Sequence, residues 1–412
     1  MENIEIASPV AAVLLVGILV SASFWTRIFF KKIKLPPIAG YIILGVILRL
    51  FGSTWNNISS QTSEFLYFLG EIGIVTLLFR IGLGCNLKGL LEQLRTASFL
   101  AFTNILVSAV LGFCAAYYLL SISLIPSLFV GVALTATSIG VAIMSWQQEN
   151  ALDSRSGKIL VDMAALDDIV AIALMGLLFT LVPVLREESY EALFPLILSS
   201  VSIFSLKLML FALFCMFFSY FMEAEIMAYL RKFERKTDPI LMTVSIGFII
   251  AAIAAIFGFS LSLGAFFAGI SFSRDPKSRT METSFVPLED FFVPFFFIGI
   301  GYQASVEVLF TNYHIVIVLL ACAIIGKVVG TVLPALLSRI SFARANILGI
   351  SMIPRAEIAM VITAKAFLLG YWALPKEVYT SMVIVSLVTC LATPLALKVL
   401  LKRFRSAGIE EL

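Results

Sequence analysis

The sequence predicts an all-α integral membrane protein of about thirteen transmembrane helices, and three observations carry that prediction. The 412 residues are 60% hydrophobic and only 13% charged, with a mean hydropathy of +1.04. That is too apolar for a water-soluble chain, and no polar stretch is long enough to form a soluble domain. The apolar residues gather into runs of helical length, roughly 20 residues being what crosses a hydrocarbon core. The basic residues, finally, are sorted between alternate connections, as a chain threaded through a bilayer sorts them. The net charge of +3 is therefore a matter of membrane sidedness, and no nucleic-acid partner is expected.

In order along the chain, the runs span 9–30, 36–50, 64–83, 97–120, 126–146, 158–184, 195–221, 239–257, 260–272, 285–302, 313–336, 345–369 and 379–400. The first is not a cleavable signal. Glu2 and Glu5 precede it and Arg27, Lys31, Lys32 and Lys34 follow it, the reverse of a signal peptide's charge order. It is expected to stay, with the N-terminus outside. Loops then assigned to the inside carry 21 basic residues, whereas the outside loops carry 3, Arg49, Arg186 and Lys376. A missed or extra helix would reverse every later loop, so this bias supports thirteen spans with the C-terminus in the cytoplasm. The expected location is the plasma membrane, or the inner membrane of a bacterium. The five cysteines lie far apart in apolar segments and form no CxxC pair, so neither a disulfide framework nor a zinc site is expected. His314 falls at the end of a run and reads as an interfacial side chain.

An internal repeat runs through these elements. The third span ends Phe79-Arg80-Ile81-Gly82-Leu83-Gly84 and the tenth ends Phe296-Phe297-Ile298-Gly299-Ile300-Gly301, an offset of 217 between Gly82 and Gly299. Gly40 and Gly45 in the second span are echoed by Gly264 and Gly269 in the ninth, an offset of 224. Seven spans separate the partners, so they cross in opposite directions, as in inverted-repeat transporters. A similar shift lays Gly131 to Ser138 of the fifth span over Gly349 to Ala356 of the twelfth. Both stretches are poor helix, one holding Thr135, Thr137 and Ser138, the other Pro354. Two discontinuous helices that cross near the midplane are therefore expected, a single proline kink being the blander alternative. Irregular backbone at that depth is tolerated only where protein or a water-filled cavity surrounds it.

The chemistry concentrates in Asp167 and Asp168, adjacent aspartates inside the apolar sixth span. One charge at the bilayer centre costs at least about 2.5 kcal/mol, so two there read as an ion site. Successive helical residues point about 100° apart, so at least one carboxylate must face a polar cavity or a cation. Ionising both in a low-dielectric setting is unfavourable unless a positive group answers, a coupling that suits proton-for-cation exchange. Lys327, Arg355 and Glu357 lie at similar depth in the eleventh and twelfth spans, and five charges at one depth imply one site. Asp162 and Lys365, nearer the ends of their spans, can snorkel to water. Arg80 suggests a structural pairing, with Glu71 one available partner, and Lys207 has no role that the sequence reveals.

Thr135-Ala136-Thr137-Ser138-Ile139-Gly140, Ala165-Leu166-Asp167-Asp168, Gly326-Lys327 and Pro354-Arg355-Ala356-Glu357, in this order, resemble the cation:proton antiporter-2 family. That family includes bacterial sodium/proton antiporters and the membrane parts of glutathione-gated potassium efflux systems. The resemblance covers nearly the whole chain. It implies a thirteen-helix fold in which a six-helix core bundle moves against a dimerisation domain, usually in a homodimer. Residues 1–96 and 237–312 would be the dimerisation or scaffold domain, 97–192 and 313–412 the core ion-transport domain, and 193–236 a linker helix. By the same resemblance Asp168 carries the ion, Asp167 is its neighbour, and Lys327 salt-bridges Asp167 when no cation is bound. Thr135, Thr137 and Ser138 would lie in the unwound crossing segment, with Arg355 and Glu357 a supporting charge pair on the other crossing helix. The chain departs from the family pattern at Ala356, where glycine is usual. Asp167 stands where potassium efflux members usually carry glutamine, and no dinucleotide fingerprint is present, since Gly82-Leu83-Gly84 lacks the later glycine.

The expected function is secondary active exchange of a monovalent cation, sodium first, for protons, in the service of pH homeostasis. No cofactor is expected beyond the transported cation and protons, and the remaining partners are the bilayer and a second copy of the chain. A carboxylate–ammonium contact at about 4 Å is worth about 4 kcal/mol at an effective dielectric near 20, so gain or loss of Lys327 decides how tightly the acids hold a proton. If a cation displaces Lys327 and the lysine then releases a proton, exchange is electrogenic, two protons per sodium. A potassium/proton antiporter or potassium efflux protein is the alternative within the family. An intramembrane aspartyl protease is a remote one, because it needs aspartates on facing helices sharing one proton, whereas Asp167 and Asp168 are neighbours.

Overall fold

The computed structural model describes residues 8–50, 60–84, 94–152, 154–186, 193–223, 225–226, 240–273 and 284–406. Glu2, Glu5, Cys85, Lys88 and the basic residues within 227–239 and 274–283, all used in the sequence reading, lie outside the described residues. Every regular element described is helical. In chain order these are α1 (Ser8–Lys32), α2 (Pro37–Leu50), α3 (Ser60–Gly84), α4 (Leu94–Cys114), α5 (Leu124–Ala133), α6 (Ile139–Gln148), α7 (Arg155–Arg186) and α8 (Leu193–Phe217). There follow α9 (Ile240–Ile256), α10 (Leu261–Phe272), α11 (Val286–Gln303), the single turn α12 (Val308–Thr311), α13 (Tyr313–Leu337), α14 (Phe342–Ser351), α15 (Glu357–Leu368) and α16 (Lys376–Ser406). Each apolar run of the sequence appears as one helix or, for the fifth and twelfth runs, as a pair. Among the described residues, seven helices are long and apolar enough to cross a membrane. The chain is an integral membrane protein.

The helices group into two compact units, Met1–Phe24, Asn57–Lys88 and Gly176–Phe297 in the first, and Trp25–Asn56, Gly89–Met175 and Ile298–Leu412 in the second. In the first unit α3 lies backbone against backbone on α10. A Cβ added to Gly82 would strike the Phe266 carbonyl, and one added to Gly269 would strike the Phe79 carbonyl. The Phe79 ring stacks on Phe285 with centroids 5.0 Å apart and fills the space left open by Gly247. Arg80 pairs with Glu289 across α3 and α11, a carboxylate that the sequence reading did not name beside Glu71.

In the second unit α2 and the C-terminal end of α11 make the same kind of contact. A Cβ on Gly45 would strike the Ile298 carbonyl, and one on Gly301 would strike that of Ile42. Gly299, which the sequence comparison set against Gly82, has nothing within 4 Å of its added Cβ. The close approach on α11 is thus made by Gly301, two residues beyond the glycine that the sequence sets against Gly82. The core of this unit is built on fully buried Trp146, Met163, Leu348 and their neighbours from α6, α7 and α14. α13 packs closely on α4 because Gly326 and Gly330 leave no side chain between the backbones.

Candidate functional site

Two helix interruptions frame the site, and local chemistry explains both. α5 stops at Ala133 and α6 begins at Ile139. Between them Thr135 turns its hydroxyl back onto the Val132 carbonyl at 2.7 Å, and Thr137 donates to Met352 O at 3.3 Å, so side chains compete with the helical ladder. α14 stops at Ser351 and α15 begins at Glu357. Pro354 has no N–H to continue the helix and disfavours the helical region for the residue before it. Ala356 adopts φ −138° and ψ −96°, a negative φ, so the alanine that replaces the family's glycine needs no left-handed backbone.

The interruptions satisfy one another. Ser138 N–H donates to Pro354 O at 2.8 Å, and the Arg355 guanidinium donates to Ala136 O at 2.6 Å and to Ala323 O at 3.3 Å. α16 clamps the Arg355 backbone, Thr389 accepting from its N–H at 3.2 Å and Ser386 and Cys390 donating to its carbonyl. Trp146 Nε1 anchors Ser351 Oγ at 2.9 Å. Carbonyl groups freed at the end of α5 thus face the Arg355 guanidinium at Ala136 and the Lys327 ammonium at Thr135, which offsets the negative end of that short helix.

Lys327 projects from α13 into this junction with no exposed surface. Its ammonium donates to Asp167 Oδ2 at 3.0 Å and Oδ1 at 3.2 Å, to Asn104 Oδ1 at 2.5 Å and to the Thr135 carbonyl. Asp167 is equally buried, and its neighbour Asp168 is 5% exposed. Asp168 lies within electrostatic reach of Asp167, Glu357 and Lys327. Its Oδ1 is buried without a hydrogen-bond partner, as is Ser138 Oγ at the first interruption. A buried carboxylate oxygen without a donor is costly, and a proton or a cation removes that cost. The Glu357 carboxylate opens α15 near the start of α6, 3.7 Å from where a Cβ on Gly140 would sit.

The second unit therefore brings together Asp167, Lys327 and the Thr135 carbonyl by direct bonds, Arg355 by its bond to Ala136, and Thr137 and Ser138 by their bonds to Met352 and Pro354. Asn104, Ser386 and Thr389 escaped the sequence reading. Asn104 carried a signal, an amide inside an apolar run, whereas Ser386 and Thr389 look like ordinary helix hydroxyls until the fold sets them beside Arg355. Lys207 is exposed in the first unit and donates to the Phe257 carbonyl at 3.3 Å, which answers a helix C-terminus rather than a carboxylate. His314 is exposed at the start of α13.

Two aspartates side by side on one helix, answered by a buried lysine where two broken helices meet, make a buried charged cluster inside a bundle of apolar helices. The chain is a member of the family described as sodium/hydrogen exchanger, transmembrane, which it matches over residues 16–403. It is 28% identical over 400 residues to the high-affinity Na(+)/H(+) antiporter NhaS3 of Synechocystis sp., covering 94% of this chain and 83% of that one. It is 24% identical to the Na(+)/H(+) antiporter of Enterococcus hirae, covering 90% and 94% of the two chains. The fold is similar to that of the sodium proton antiporter MjNhaP1 from Methanocaldococcus jannaschii, with a TM-score of 0.70 at 14% identity over 96% of this chain and 99% of the other.

Proposed function

We propose that this chain exchanges sodium for protons by alternating access at Asp168, moving two protons per sodium. The observation that carries the reading is the fully buried contact of Lys327 with Asp167, next to an Asp168 oxygen that has no hydrogen-bond partner. A cation reaching the site competes with protons for Asp168. Asp167 then turns toward the cation and releases Lys327, whose proton becomes the second one transported. An unneutralised carboxylate would not cross the hydrophobic barrier, so occupancy by proton or cation is what permits the site to change sides.

Several finer features belong to the same proposal. The interrupted helices cross at the midplane within a thirteen-span, N-out and C-in arrangement. The paired glycine contacts, Gly45 with Gly301 and Gly82 with Gly269, support an inverted repeat. Residues 97–192 and 313–412 carry the ion, residues 1–96 and 237–312 form the scaffold of a homodimer, and 193–236 link them. The protein serves pH homeostasis in the plasma membrane.

The test is reconstitution in proteoliposomes with a proton gradient imposed and sodium, lithium or potassium added in turn. Sodium-driven proton movement against its gradient, faster when a membrane potential favours it, is the expected result. Flux indifferent to potential would replace the two-proton stoichiometry by one-for-one exchange. A larger response to potassium would assign the chain to potassium/proton exchange, and passive ion leak without uphill movement would make it a channel.

A further inference from the structure

Asn104 sits on α4 with no exposed surface, and its own bonds fix which way its amide faces. Nδ2 donates to Thr331 Oγ1 at 2.6 Å and to the Lys327 backbone carbonyl at 3.2 Å. A carbonyl only accepts, so that end of the amide must be the NH2, and the oxygen is the end that meets the Lys327 ammonium at 2.5 Å. The approach is permitted by two glycines that straddle Lys327 on α13. A Cβ on Gly330 would lie 2.8 Å from Asn104 Cα, and one on Gly326 would lie 3.1 Å from Ser108 Cα. Small residues at this spacing commonly serve only to pack helices. Here the side chain they admit ends on the charged atom of the site.

Lys327 consequently has two kinds of partner. Asp167 is a carboxylate that a cation can claim. Asn104 Oδ1 and the Thr135 carbonyl are neutral acceptors, which carry no charge for a cation to neutralise. We propose that Asn104 is a positioning residue that shares the Lys327 ammonium with Asp167, and so sets how readily a transported cation displaces the lysine. The proposal rests on the exchange reading above, because competition between lysine and cation for Asp167 is part of that reading.

The test compares Asn104→Leu and Asn104→Asp with the unmodified protein in proteoliposomes at one fixed pH, reading the KM for sodium and the maximal rate. Leucine keeps the shape and removes the acceptor, leaving the ammonium to Asp167, and KM is expected to rise about tenfold, the scale of one hydrogen bond to a charged group. Aspartate offers Lys327 a rival carboxylate, and KM is expected to fall below that of the unmodified protein. In both, the change falls on KM more than on the maximal rate. A residue that merely packs α4 on α13 would impair both variants in the same direction, and that outcome, or an unchanged KM in both, overturns the proposal. Should Asn104→Leu not be recovered folded, Asn104→Asp decides alone, with a lowered KM supporting the role and an equal or raised KM overturning it. If the unmodified protein moves no protons in response to sodium, the exchange reading falls and takes this one with it. If it does exchange while the variants keep its KM, only the role of Asn104 is lost.

Discussion

Lys327 Nζ lies 3.0 Å from Asp167 Oδ2, and neither side chain has any exposed surface. Breaking a buried pair strands the remaining charge, at a cost of about 3 to 5 kcal/mol, whereas removing both charges can be nearly neutral. Lys327→Met alone should therefore lower the unfolding temperature of the detergent-solubilised protein sharply. Adding Asp167→Asn to it should recover most of the loss. A double variant as unstable as the sum of the two singles would show that the pair is not the unit of stability.

Gly299 and Gly301 lie two residues apart on α11 and should respond oppositely to alanine. Gly299 has open space where a Cβ would go, so Gly299→Ala should stabilise by up to about 1 kcal/mol through helix propensity. At Gly301 the same methyl meets the Ile42 carbonyl, and overpacking should cost about 1 to 3 kcal/mol. Thermal unfolding of the two variants checks this, and equal shifts would contradict the close contact of α2 with α11.

Arg355→Lys keeps the charge and loses the fork that reaches Ala136 O and Ala323 O together. A lysine ammonium cannot reproduce that planar geometry. Each hydrogen bond to a charged group is worth about 1.5 to 3 kcal/mol, so the variant should melt earlier and exchange sodium more slowly. Wild-type melting together with wild-type flux would remove Arg355 from the framework of the junction.

The Arg80–Glu289 pair tests the opposite expectation. Its side chains are 30% and 20% exposed, and ion pairs that reach solvent contribute about 1 kcal/mol or less. Arg80→Gln should leave sodium-driven proton flux near the unmodified level and shift stability only slightly. A large loss of flux would give this pair a part in transport.

Much of the fold was legible because membrane burial writes itself into composition. The apolar runs matched the helices to within a few residues, since lipid admits little but helix over such lengths. Pro354 and the Thr135, Thr137 and Ser138 cluster revealed where helices would break, because those residues oppose helix by their own chemistry. What the sequence could not reveal was which groups answer each other across the bundle. Asp167 and Lys327 are 160 positions apart, and their contact was expected only through the family resemblance. Asn104 is a single amide in an apolar run, and only the position of Gly330 on the facing helix brings it to the ammonium. The two-residue shift in the glycine echo has a similar cause. Gly82-Leu83-Gly84 and Gly299-Ile300-Gly301 look alike as strings, but the close contacts fall on Gly82 in the first and on Gly301, not Gly299, in the second.

The most direct measurement is sodium-driven proton movement in proteoliposomes containing Asp168→Asn, with the unmodified protein in parallel and the melting temperature of each recorded. Asparagine keeps the size of the side chain and can be neither ionised nor protonated. The expected result is a folded protein with no exchange. Exchange persisting at the unmodified rate would contradict the role given to Asp168.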